Sequence, residues 1–298
     1  MKNPITRLFI CLSVVISSAC SEKEFIASDE SLVTSKAATI QNKGRKAEPR
    51  NLISKYSFQA TTDGKVSREF TLTFSYDEEW NLETIKRTDK HYNSKTGITS
   101  SEGFTNWALK YDGKGILSEA TSFNNESLKF NSNSVLTYIY ENKKLSTINL
   151  AVIKDTKQIL SLERFKLKYN QEKQLISYKS GNDKGHDFAY KNNQHESSVL
   201  KGTSSFDFEY SSDLSPTSSY EDGVKFVIFQ ALGADPARGF GLVSQNLPTR
   251  LVNRTGGVIT FESTINEYKF PVRIIEKFSS GNSNVKNITN IEYQQIEE

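Results

Sequence analysis

Phe70-Thr-Leu-Thr-Phe-Ser-Tyr76-Asp-Glu-Glu-Trp80-Asn-Leu82-Glu-Thr-Ile85 reads as one β-hairpin. Phe70, Leu72, Phe74 and Tyr76 alternate with polar residues, which places all four on one face of a strand. A short polar turn follows, and a second strand opens with Leu82. Asp, Asn and Gly at such turns accept the left-handed backbone that tight hairpins need. The pattern recurs as Tyr111-Asp-Gly-Lys-Gly-Ile116-Leu117, Tyr140-Glu-Asn-Lys-Lys-Leu145-Ser-Thr-Ile148 and Tyr169-Asn-Gln-Glu-Lys-Gln-Leu175-Ile176, with weaker copies at Tyr190 and Tyr210. Strands lead into several of these tyrosines, as in Val135–Tyr140, Phe165–Tyr169 and Phe206–Tyr210. The anchoring tyrosines 76, 111, 140, 169, 190 and 210 form a loose repeat. One hairpin cannot shelter its own apolar face, so neighbours must pair. The expectation is an all-β fold, an antiparallel meander of repeated hairpins forming a large curled or barrel-like sheet, with the inward tyrosines in its core.

Composition agrees. Of 298 residues 36% are hydrophobic and 11% aromatic, with 18 Phe and 13 Tyr against a single Met and 6 Pro. Aromatic and β-branched residues with few helix formers favour sheets. This composition argues against a coiled coil, a helical bundle and a multi-pass membrane protein. The net charge of +3 arises from 38 basic and 35 acidic residues, which leaves no electrostatic footprint for nucleic acid.

One stretch breaks the pattern. Val224, Val227, Ile228, Ala231 and Leu232 fall at helical spacing, Asp222 could cap the start and Gly233 could end the run. This predicts a short helix near 222–232 with an apolar face plugging or capping the sheet. A buried strand through Phe226–Phe229 is the alternative. Residues 239–248 read as a loop, with strands returning at Val258–Phe261, Ile265–Phe270, Val272–Phe278 and Ile288–Gln294.

The N-terminus supplies an address. Lys2 and Arg7 precede a short apolar run from Leu8 to Ile16, too short to span a bilayer. Ser17-Ser18-Ala19-Cys20 then resembles a bacterial lipoprotein cleavage site, with Ser17 where a large aliphatic residue is usual, Cys20 as the lipid attachment residue and 1–19 as the signal peptide; an ordinary signal peptide cleaved after Ala19 is the alternative. Cys11 leaves with the signal, so no disulfide is expected. Three acyl chains at about 0.8 kcal/mol per buried CH₂ would hold the chain firmly on a membrane. Ser21-Glu22-Lys23-Glu24 resembles a surface-export signal, which favours the cell surface over the periplasmic face of an outer membrane. From Cys20 to residue 50 the chain is polar and aperiodic, a tether reaching about 30 Å as a flexible coil. Residues 51–298 form a single repetitive β domain.

The Tyr-Asp hairpins resemble the YD-repeat or Rhs-like pattern of bacterial surface proteins. The C-terminal motifs Tyr220-Glu-Asp-Gly223, Phe226–Leu232, Phe240-Gly241, Ser244-Gln-Asn-Leu-Pro-Thr249 and Glu267-Tyr-Lys-Phe-Pro271 resemble a group of Gram-negative lipoproteins. That group is built around a domain of unknown function described as having a porin-like β fold. Val224-Lys225 stands where its pattern has Asn-Pro. The resemblance implies a fold and an envelope location, and no catalytic residues.

Chemistry-bearing patterns are sparse. His91, His186 and His195 are far apart and none has a second ligand at metal spacing, so neither metal nor cofactor is expected. There is no Gly-x-Ser-x-Gly elbow and no Walker loop, and no enzyme is expected. Asn182-Asp183 and Asp112-Gly113 could hold a weakly bound ion. Aromatics offer more. Trp80 falls in a hairpin turn and Trp107 in the strand before Tyr111, and exposed rings can stack on sugars. Two functions follow: a non-catalytic surface module binding glycan or protein with Trp80 and Trp107 as candidates, or a periplasm-facing carrier or envelope-assembly factor enclosing a hydrophobic ligand in the curled sheet.

Overall fold

The computed structural model describes residues 50–93, 96–126, 132–154, 159–180, 185–191, 194–200, 204–233, 244–253, 257–279 and 285–296. Cys20, the signal segment, nearly all of the tether, and Asn182-Asp183 lie outside the described residues. In chain order the strands are β1 (Arg50–Thr62), β2 (Lys65–Tyr76), β3 (Leu82–Tyr92), β4 (Thr99–Tyr111), β5 (Leu117–Glu126), β6 (Ser132–Glu141), β7 (Lys144–Lys154) and β8 (Ile159–Tyr169). They continue as β9 (Leu175–Ser180), β10 (Gly185–Lys191), β11 (Gln194–Leu200) and β12 (Ser204–Leu214). The helix α1 (Asp222–Leu232) precedes β13 (Asn246–Asn253), β14 (Val258–Ile265), β15 (Pro271–Ser279) and β16 (Val285–Ile296). Every strand pairs antiparallel with its sequence neighbours, and β16 closes on β1, so the meander is a closed barrel. Closure removes the unpaired edges that an open sheet would expose.

The turns of the repeat all lie at one end, here the tyrosine end, because each hairpin returns the chain there. Four of them share one chemistry, whereas the turn after Tyr140 uses left-handed Asn142 and Lys143. Asp77 Oδ1 accepts the N–H groups of Glu79 (2.9 Å) and Asn81 (2.8 Å), and Asp112 Oδ1 those of Lys114 (2.8 Å) and Ile116 (3.0 Å). Asn170 Oδ1 accepts from Gln174 N–H at 2.8 Å, and Asn266 Oδ1 from Tyr268 (3.0 Å) and Phe270 (2.9 Å). Residues 266–270 are therefore a turn, where alternation from Ile265 to Phe270 predicted a strand. The Asn266 side chain satisfies the backbone that a ladder would otherwise pair. Conversely, β13 begins at Asn246, so the last three residues of the stretch 239–248 expected as a loop, Pro248 among them, belong to a strand.

The tyrosines explain why the repeat exists. Tyr111 Oη donates to the Leu82 carbonyl (3.0 Å), Tyr190 to Leu175 (2.8 Å) and Tyr293 to Pro271 (3.0 Å). Each acceptor is the first residue of a neighbouring strand, so one hairpin's ring ties down the start of another. Their rings pack against the core, and burial raises the Tyr76, Tyr140, Tyr169 and Tyr293 phenols above their ordinary range.

Residues 222–232 form the predicted helix, and the strand alternative is not adopted. Glu221, not Asp222, is the N-cap residue, and Asp222 instead lies in the first turn and accepts from Tyr169 Oη at 3.2 Å. Gly233 ends the helix in the left-handed conformation at φ 58°. Val224, Phe226, Val227, Ile228, Phe229 and Ala231 are all buried, so apolar contact surrounds the helix on more than one face. It enters at the tyrosine end, where Gly223 abuts Tyr140 and Leu117, and finishes beside Arg87. Arg87 lies five residues into β3, roughly 16 Å along the strand. A barrel of this strand number has space for a water-filled lumen. Here α1 and the inward rings of the wall occupy the tyrosine half.

Polarity is inverted relative to a membrane-spanning barrel, whose wall is apolar outside and polar within. Phe70, Leu72, Phe74, Ile85, Leu109, Leu136 and Ile148 point inward and are buried. Outward positions carry Thr73, Ser75, Lys86, Thr88 and Lys90, and ion pairs such as Lys55–Glu292 (2.9 Å), Lys110–Glu119 (2.8 Å) and Arg250–Glu209 (2.8 Å). An outward apolar strip runs across β4 to β8, through Phe104, Phe123, Val135, Ala151 and Leu162.

Candidate functional site

Two cavities meet inside the barrel. The first, about 370 Å³, lies between the C-terminal half of α1 and the wall built by β13 to β16, β1 and β2. Its lining is mostly apolar: Tyr56, Phe58, Phe70, Ile228, Phe229, Leu232, Leu247, Phe261 and Ile274. Phe58 and Phe70 stack with ring centroids 4.6 Å apart, forming a flat aromatic floor. Glu276, Asn287 and Thr289 supply a polar corner, where Asn287 Nδ2 donates to Glu276 Oε2 at 2.9 Å. The second cavity, about 560 Å³, is polar and lies beyond the helix C-terminus, lined by Arg87, Asp89, His91 and the first half of β4. Arg68 and Gly233 border both.

The junction follows from strand register. Phe70 points inward, so Arg68 does too, and the pairs Phe70↔Asp89 and Leu72↔Arg87 put these charged groups on the same interior face. Arg87 is buried, stands 4.4 Å over the Phe70 ring centroid, and holds Asp89 through both Nε and Nη2, the latter at 2.8 Å. Its Nη1 donates to the Ala231 carbonyl, one of the orphan acceptors at the end of α1. No basic residue stands in the last turn of α1, so the wall provides the cation that complements the helix dipole. Arg68 approaches the other side of Asp89, with Nη2 at 2.8 Å and Nε at 3.2 Å from Oδ1. Burial works to raise the Asp89 carboxyl, and hydrogen bonds from Arg87 and Arg68 outweigh it, holding the group below the usual carboxylate range. One carboxylate between two guanidiniums leaves this cluster with an excess positive charge.

The residues singled out from sequence fall in different places. Trp80 is 43% exposed at the tyrosine end, in the left-handed corner of its turn at φ 63°. Gly115, Lys173 and Lys269 hold the corresponding position in the other turns, at φ 73°, 68° and 66°. Trp107 points inward on β4 and is 6% exposed, so its ring packs in the core and offers no face for a sugar. The structure does not bring the two tryptophans together. His186 is buried and stacks near Phe188 (6.0 Å), His91 lines the polar cavity, and the Asp112 carboxylate is engaged by its own turn. Among the described residues no cluster of His, Cys, Asp and Glu is arranged to hold a metal ion.

Sequence reading missed Arg68, Arg87 and Asp89. A signal was present: counting by twos from Phe70 and Ile85 lands on charged residues where the core requires apolar ones. A charge at an inward position marks a buried polar junction.

The chain matches no protein-family model and no curated protein. Among solved structures it is similar to a porin-like protein from Bacteroides uniformis, with TM-score 0.50 and 12% identity over 81% of this chain and 96% of that one. A porin-like protein from Bacteroides vulgatus aligns with TM-score 0.40 and 15% identity over 82% of this chain and 99% of that one. The first of these likenesses speaks for the barrel fold.

Proposed function

We propose that this chain is a non-catalytic lipoprotein, anchored to the outer membrane through Cys20, whose barrel carries a hydrophobic ligand in its interior. The apolar cavity beside α1 is the observation that carries this reading. A packed core leaves few voids larger than a water molecule. A cavity of about 370 Å³, lined by aromatic and aliphatic side chains with a few polar groups at one corner, has the size and make-up of a small-ligand site. The outward ion pairs suit a wall standing in water, with a lipid at Cys20 as the membrane attachment. Cys20→Ala should abolish acyl labelling and release a soluble form. Labelling that persists would remove the anchor from this reading.

The cavity itself is tested with N-phenyl-1-naphthylamine, a neutral apolar fluorophore, on the full chain carrying Cys20→Ala. Binding should be saturable, and Leu232→Trp, which adds bulk at the half-buried end of α1, should suppress it with the unfolding midpoint retained. Unchanged binding in that variant would refute the interior site.

A second reading rests on Trp80. A bulky exposed ring in a left-handed turn corner is conformationally unfavourable and offers a flat apolar face at the surface. As a glycan platform it would make the tyrosine end a surface-facing binding edge. A glycan array with wild type and Trp80→Ala separates this reading from the carrier.

A further inference from the structure

We infer that the interior ligand is a single-tailed amphiphile with an anionic head, its tail in the apolar cavity beside α1 and its head at Arg68. This rests on the reading of that cavity as a ligand site, and adds the ligand's chemical class.

The two cavities touch at the C-terminal end of α1. Among the described residues the apolar one and the polar one share Arg68 and Gly233 and no other lining residue. A molecule lying across that junction has one apolar end and one polar end. The apolar volume, about 370 Å³, is at the small end of ligand sites, which suits one tail and not several. Phe58, Phe70 and Tyr56 line the wall next to the junction, so apolar surface continues up to the charged group.

Arg68 is equipped to meet an anion. Its Nε and Nη2 both face Asp89 Oδ1, while Nη1 has no hydrogen-bond partner among the described residues. Its side chain is 37% exposed, unlike that of Arg87 at 7%. Arg87 is fully committed, to Asp89 and to the helix end. Asp89 compensates one of the two positive charges, and Glu102, the other acid lining the polar cavity, is paired with Lys90 at 3.3 Å, so the surplus lies on the accessible guanidinium. Glu276, the acid of the apolar cavity, is three strands away across β16 and β1, roughly 14 Å along the wall at about 4.8 Å per strand. A carboxylate or a phosphate monoester supplies the acceptor geometry that a guanidinium edge binds best.

The test uses the full chain carrying Cys20→Ala, so that the protein's own acyl groups stay out of the assay. Fluorescent cis-parinaric acid and its methyl ester share one tail and differ in head charge. Wild type should bind the acid at least about ten-fold tighter than the ester, the scale of one charge-assisted hydrogen bond. Arg68→Met should erase that preference with ester affinity unchanged, and Arg68→Lys should keep part of it. Dodecanoic acid and monododecyl phosphate then compete for the bound probe, and the stronger competitor identifies the head as carboxylate or phosphate. Equal affinity for acid and ester in wild type would overturn the inference while leaving the carrier reading intact. So would a preference that survives Arg68→Met. Failure of both probes to bind would overturn the carrier reading, and this inference with it.

Discussion

Gly223 is where a single added carbon tests how α1 seats against the barrel wall. A Cβ at this position would lie 2.6 Å from Tyr140 Oη and 3.3 Å from Leu117 Cδ2. Leu117 is fully buried and cannot retreat, so the Tyr140 ring would have to tilt. Overpacking of this kind costs about 1–3 kcal/mol. Alanine recovers up to about 1 kcal/mol of helix propensity over glycine, less so in the first turn. Gly223→Ala should therefore destabilise by about 1–2 kcal/mol, lowering Tm by about 2–8 °C for a domain of this size. The clash is with a hydroxyl that is itself buried and has no partner among the described residues. Tyr140→Phe alone should accordingly be close to neutral, because little hydrogen bonding is lost.

The double variant decides the matter. With the hydroxyl gone, Gly223→Ala in a Tyr140→Phe background should be neutral or stabilising. Urea unfolding can be followed by fluorescence of the buried Trp107. A double-mutant cycle should give a coupling of at least 1 kcal/mol, well above the additivity error of about 0.3–0.5 kcal/mol. If Gly223→Ala is as stable as wild type and the coupling is within that error, α1 does not seat against the tyrosine ring as described.

Three further outcomes follow from the same geometry. Asp89 titrates lower folded than unfolded, so its contribution is present above the ordinary carboxylate pKa and is lost as pH falls through the folded value. Asp89→Asn should lower the urea midpoint at pH 7 and flatten its fall below about pH 4; an unaltered acid limb would dissociate Asp89 from acid stability. Burial raises the Tyr76, Tyr169 and Tyr293 phenols, so stability is intact below about pH 10 and declines as pH rises above it. Tyrosinate absorbance should then appear cooperatively with loss of circular dichroism, and a simple titration near pH 10 in folded protein would contradict the buried ring. Trp80→Gly should raise Tm slightly by relieving the left-handed corner, while any glycan affinity should fall by about 1–3 kcal/mol; a marked drop in Tm would make Trp80 a packing residue.

The barrel was legible because its information is local. Tyr76, Tyr111 and Tyr140 mark the same corner of successive hairpins, and the polar residues after them form the turns. Closure was not legible, since pairing of β1 with β16 joins residues about 235 apart, as in Ser57↔Asn290, and no local pattern encodes it. Pro248 and Asn266 misled in opposite directions. The stretch 239–248, closing on Pro248, read as a loop although β13 begins at Asn246, while alternation over 265–270 hid an Asx turn. Trp107 could not be told from Trp80 by residue type, because inward and outward depend on register. The junction of Arg68, Arg87 and Asp89 required two facts together: the inward parity of β2 and β3, and the arrival of the α1 terminus beside them.

That junction also bears on why the helix lies inside the barrel at all. Sixteen strands enclose more volume than wall side chains can fill, so an unplugged barrel of this composition would expose its inward Phe and Leu to water. α1 removes that exposure in the tyrosine half, and its N-terminal segment is tied to the wall through Tyr220. Ile53 N–H donates to Tyr220 Oη at 2.8 Å, and Tyr76 gives its proton to the Ile53 carbonyl at 2.7 Å. Tyr220 must therefore donate to Tyr76 across their 2.6 Å contact, which fixes the direction of all three bonds. The C-terminal end depends on one guanidinium, Arg87, that Asp89 also holds. A ligand anion at Arg68 would compete with Asp89 for that guanidinium and so leave more of the carboxylate to Arg87. The helix anchor and the ligand head thus share one carboxylate, and occupancy of the site should strengthen the plug.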